Sequence, residues 1–137
     1  MKRISIDLLQ YSPYIPAAGL LLGGIVQRLV HDYPTSLEAT VGPTWAVVWC
    51  WYLIVGALAT FAGLYFRQTA ELSGRRNALG LSLEVGGLTL LSTATGVHAL
   101  ALAAFDGWGS AVSIGLWGGY SIVAALRAHR FGTKGRP

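Results

Sequence analysis

The sequence predicts an all-α integral membrane protein, a four-helix transmembrane bundle with both termini in the cytoplasm. Three observations point there. Of 137 residues, 53% are hydrophobic and 12% charged, against about 25% charged in a soluble domain. Mean hydropathy is +0.52. Nine of the ten Lys and Arg fall in segments that four spans would place on one side, and only Arg28 falls on the other. That bias orients membrane proteins with the basic side inward. The length allows a single transmembrane domain, 1–137.

The first span, 13–30, is the least regular. Pro13 and Pro16 suit a first helical turn, where a missing N–H costs nothing. Its clean apolar run, Ile15 to Val26, is only 12 residues, and a span needs about 20. The segment either crosses with a kink, with Arg28 snorkelling outward, or forms a re-entrant or interfacial helix. The charge count favours crossing, because without it Lys2, Arg3 and Arg28 would all lie outside. Ahead of it, residues 1–14 read as an amphipathic interfacial lead. The two prolines, with no small-x-small site behind them, weigh against a cleavable signal peptide.

Residues 31–43 read as a polar loop with two breakers, Pro34 and Pro43. The second span, 44–66, is 23 residues without a charge. Trp45, Trp49, Trp51 and Tyr52 gather toward one end, and Tyr65 and Phe66 close the other, an aromatic belt at each interface. A basic loop, 67–77, leads to the third span, 78–105. At 28 residues it is longer than a bilayer requires, so it should tilt. Asp106-Gly107-Trp108-Gly109 form a turn into the fourth span, 110–126. A basic cytoplasmic tail, 127–137, follows.

In lipid, helices meet through close contact that small residues permit. Gly19 and Gly23 in the first span, and Gly115 and Gly119 in the fourth, are the expected packing positions, with further small pairs at Ala59/Gly63, Ser82/Gly86 and Ser92/Gly96.

Chemistry is sparse. Glu84 lies six residues past Ala78, about 9 Å into the third helix. His98, 14 residues on, returns to within about 40° of it around the axis, and Thr95 and Asn77 share that side. Asn77, Glu84, Thr95 and His98 therefore form one polar face, with Leu88 and Leu91 between. The face either lines a polar path or a shared interface, or it is structural. In the structural case Glu84 pairs with an inner-edge arginine and His98 bonds a carbonyl. Arg75 and Arg76 precede Glu84 by too many residues for direct contact along a straight helix. Arg127, at the inner end of the fourth span, is the expected ion-pair partner.

No HExxH, Gly-x-Ser-x-Gly, phosphate loop or cysteine pair occurs. Ser92 and Ser113 have no visible base, and the three histidines fall in different layers. No catalytic, cofactor or metal site is therefore expected, and the chain is not expected to be an enzyme. Basic residues in short blocks between apolar runs argue against nucleic acid. The lone Cys50 excludes an internal disulfide.

Leu83-Glu84-Val85-Gly86-Gly87-Leu88 after a basic loop, and Leu126-Arg127-Ala128-His129-Arg130 leaving the last helix, resemble small four-span membrane proteins of actinobacterial bacteriophages over roughly residues 75–130. The resemblance implies a holin-like protein that oligomerises in the bacterial inner membrane, its partners the lipid bilayer and further copies or another membrane protein. Two alternatives remain open. One is a membrane-embedded structural or assembly partner. The other is a small proton-coupled transporter that uses Glu84, although small multidrug transporters carry their glutamate in the first span and this chain has none there.

Overall fold

The computed structural model describes residues 14–31, 33–69, 74–106 and 111–134. Among the described residues five helices run in order: α1 (Tyr14–Val30), α2 (Thr35–Val41), α3 (Pro43–Thr69), α4 (Gly74–Asp106) and α5 (Ala111–Lys134). Among the described residues there is no strand. Of the described helices two, α3 and α4, are long and apolar enough to cross a membrane. At 27 and 33 residues they reach about 40 and 50 Å, against a hydrocarbon thickness of about 30 Å. The apolar α1 is shorter, at 17 residues. The interfacial lead, Asp32, the turn at 107–109 and the end of the tail lie outside the described residues.

The helices overrun the expected segments at several ends. α3 continues past Phe66 to Thr69, and α5 runs through the basic exit to Lys134. Neither exit carries a proline, and Arg and Lys are good helix formers. The 31–43 loop contains a helix. The Pro34 carbonyl accepts from the backbone N–H of Leu37 at 2.9 Å and of Glu38 at 3.0 Å, which starts α2. Gly42, at φ 85°, ends it in a conformation few other residues adopt. Pro43 then opens α3, where its missing N–H is harmless.

α4 is central. It packs most heavily against α3 and α5, while α1 lies mainly along α3. Glu84, Leu88, Leu91, Thr95 and His98 recur at alternating spacings of four and three, and all are buried. The main core joins Ala17 and Leu20 of α1 and Leu37 of α2 to Trp49, Leu53 and Ala57 of α3 and Leu91 of α4. A second patch joins Leu88 to Ala124 and Ala128 of α5.

Glycine sets how closely α3 and α4 approach. A Cβ at Gly63 would collide with the backbone of Glu84 and the Gly80 carbonyl. A Cβ at Gly87 would collide with the Gly56 carbonyl and Thr60. Gly56 and Gly63 on one helix, Gly80 and Gly87 on the other, are each seven apart, two turns on one face. The α1–α3 contact has its own glycine, Gly24, whose Cβ would lie 3.1 Å from Ile54 and 3.4 Å from the Cys50 carbonyl oxygen. The four glycines expected at packing positions are not among these. A Cβ at Gly19, Gly23, Gly115 or Gly119 would meet no atom within 4 Å, so among the described residues none of the four sits at a helix contact. Four-residue spacing marks a face that allows close approach, but the pairing of helices decides which face is used.

Candidate functional site

Tyr14 opens α1, Arg67 lies in the last turn of α3, Glu84 is ten residues into α4, and Arg127 is on α5. Up-and-down packing brings all four to one level. Gly63 lets α3 approach the backbone of Glu84 itself, so the long side chain of Arg67, one turn beyond, reaches the carboxylate.

Glu84 is wholly buried. Its Oε2 accepts from Arg67 Nη1 at 2.5 Å. Its Oε1 accepts from the Tyr14 hydroxyl. Arg127 Nη2 donates to that same hydroxyl at 3.1 Å, and Arg127 Nε lies 3.9 Å from Oε1. The Arg127 guanidinium also sits 5.2 Å from the Tyr14 ring centroid, within reach of a cation–π interaction. One carboxylate thus ties all four long helices.

A buried charge is tolerated when opposite charge and hydrogen bonds replace its water, and both are present here. The Arg67 and Arg127 side chains keep 32% and 20% exposure against none for Glu84. The cations therefore bridge from the end of the bundle to a sealed anion.

The expected partner Arg127 is present, but Arg67 makes the shorter contact with Glu84. Arg67 reads in sequence as a loop charge, yet α3 extends past it. Two helices joined by a short loop bring the last turn of one beside the early turns of the next, and that is the signal for it. Tyr14 carries no comparable signal, since aromatic residues at span ends are common anchors. Arg75 is exposed.

The rest of the α4 face divides. Asn77 is exposed, because it precedes Gly80, where the close packing on α3 begins. Thr95 is buried but turns its hydroxyl to its own helix, donating to the Leu91 carbonyl at 2.7 Å. His98 lies between two indoles, with ring centroids 5.1 Å from Trp49 and 4.9 Å from Trp117. Trp49 donates through Nε1 to the Ala94 carbonyl at 2.7 Å, fixing its ring. His98 Nδ1 is buried without a hydrogen-bond partner among the described residues. Fourteen residues, about 21 Å of helix, separate His98 from Glu84. Leu88 and Leu91, both wholly buried, fill the interval. In this conformation the Glu84 and His98 layers are separate, with the two leucines between them on this face.

A third polar contact joins α4 to α5. The Ser92 hydroxyl donates to the Ser121 carbonyl at 2.9 Å, and the Ser121 hydroxyl donates to the Ser92 carbonyl at 2.8 Å. Among the described residues no group of three or more His, Cys, Asp or Glu is placed to hold a metal ion.

Comparison with protein-family models, with curated proteins and with solved structures gives no match for this chain.

Proposed function

We propose that this chain is a non-enzymatic multi-pass protein of the bacterial inner membrane that crosses four times, keeps both termini inside and assembles with copies of itself. Holin-like permeabilisation is its most concrete form. The observation that carries the reading is the division of the glycines. Gly24, Gly56, Gly63, Gly80 and Gly87 are used up in contacts within the chain. Gly19 and Gly23 on α1, and Gly115 and Gly119 on α5, face open space. A glycine inside a helix costs about 1 kcal/mol relative to alanine, and close approach of another helix is what offsets it in lipid. The same faces are rich in exposed large apolar residues, including Leu22 and Val26 on α1 and Leu116 and Ile122 on α5.

The Glu84 layer supports the four-span reading independently. It requires α1 and α5 to bring Tyr14 and Arg127 to the level where α3 ends and α4 begins. Arg67, Arg75, Arg127 and Arg130 all belong to this end, which the positive-inside bias makes cytoplasmic. The transport reading draws less support, because Glu84 is enclosed by its partners and separated from His98 by leucines.

Induced expression in a bacterium, followed by dye entry and by the size of the detergent-extracted protein, tests the proposal. Abrupt dye entry with a multimeric species is expected. Steady growth with a multimer supports the assembly-partner reading instead. A monomer that leaves the membrane intact overturns both.

A further inference from the structure

A groove of about 490 Å³ opens between α2, α3 and α4 at the end of the bundle away from Glu84. Trp45, Val48, Trp49 and Tyr52 line it from α3 at spacings of three, one and three, a single helix face. Thr93 and Val97 line it from α4, and Leu37 and Val41 of α2 close its rim. Among the described residues no charged side chain contributes. The Thr93 hydroxyl is committed to its own helix, donating to the Thr89 carbonyl at 2.9 Å. The walls therefore offer a polar solute almost nothing.

We propose that this groove holds one acyl chain of a phospholipid in the leaflet opposite the Glu84 layer. The inference rests on the membrane reading above. Length is the first argument. Trp45 lies two residues from the start of α3, about 3 Å, and Tyr52 nine residues, about 14 Å. Val97 and Thr93 lie about 14 and 20 Å from the end of α4 at Asp106. The groove thus runs from the rim to the depth of one leaflet, about half of the 30 Å hydrocarbon layer. The rim is the second argument. The Trp45 indole is 62% exposed there, at the level where indole N–H groups meet headgroups. The third is that the faces suited to another helix lie elsewhere, on α1 and α5, where the open glycines are.

The test is photolabelling of the full-length protein in phosphatidylethanolamine vesicles whose acyl chains carry a diazirine, with adducts mapped by mass spectrometry. Adducts on Trp49 and Val97 are expected in several-fold excess over adducts on Val55 and Leu58, which are exposed on α3 outside the groove and away from the open glycines of α1 and α5. Val97→Trp, filling the groove, should remove most groove adducts and leave those on Val55 and Leu58. Val48→Phe does the same from α3 if Val97→Trp does not fold. Equal labelling of the groove and of these two positions overturns the proposal, as does groove labelling unchanged in a folded groove-filling variant. So does cross-linking of the groove to a second copy. Release of the chain by alkaline carbonate would overturn the membrane reading itself, whereas retention with equal labelling removes only the acyl-chain site.

Discussion

Arg67 Nη1 lies 2.5 Å from Glu84 Oε2, across two helices whose backbones touch one turn away at Gly63. The close approach and the ion pair depend on each other. Removing one partner of a buried pair costs about 3–5 kcal/mol, because the other charge is left without compensation. Glu84→Ala should therefore lower stability by that amount. Glu84→Gln should lower it by somewhat less, since the amide still accepts from Tyr14. Replacing both partners with methionine should recover most of the loss, because a well-packed apolar pair is often neutral. Denaturation in detergent of the parent, Glu84→Met, Arg67→Met and the double variant measures the coupling. Strictly additive single losses would show that the two residues do not act as a pair.

Tyr14 holds the start of α1 to the same carboxylate. A hydrogen bond to a charged group is worth about 1.5–3 kcal/mol, and Tyr14→Phe should lose that much while keeping the ring under Arg127. α1 packs mainly along α3, so its first turns should respond before the rest of the fold. Hydrogen exchange in residues 14–20 should accelerate, with α3 and α4 unchanged. Uniform acceleration throughout would mean that Tyr14 supports the whole bundle.

His98 behaves oppositely. Its Nδ1 is buried without a partner among the described residues, and an unsatisfied buried polar atom costs about 1–3 kcal/mol. His98→Leu retains much of the volume and removes that cost, so the variant should be as stable as the parent or more so. A clear loss of melting temperature would show that the rings of Trp49 and Trp117 depend on the imidazole.

These contrasts bear on what sequence patterns convey. The apolar runs in α3 and α4 announce themselves because a membrane-length helix must be apolar over about 20 residues. The buried face of α4 was legible from Glu84, Thr95 and His98, because helical spacing is a local property. Arg67 and Tyr14 were not, since their roles depend on which helices meet and at what level. The glycines show the same limit. Spacing identifies faces able to pack, and Gly56, Gly63, Gly80 and Gly87 carry no stronger local mark than Gly115 and Gly119. Only the pairing of α3 with α4 separates them.

That separation gives the last prediction. At Gly63 and Gly87 a Cβ would meet backbone atoms, which cannot swing aside as a side-chain tip can. Gly63→Leu or Gly87→Leu should force α3 and α4 apart, pull Arg67 from Glu84 and prevent folding. Gly115 and Gly119 face open space, so replacing both with leucine should leave the single chain folded, with its melting profile intact. If these glycines serve contacts between copies, the same replacement should shift the detergent-extracted protein to a smaller species. The two measurements divide the outcomes. A smaller particle with an unchanged melt places the glycines between copies. A lowered melt places them at a contact within the chain, contrary to the packing described. An unchanged size and melt leaves them facing lipid and removes the main support for self-assembly through α5.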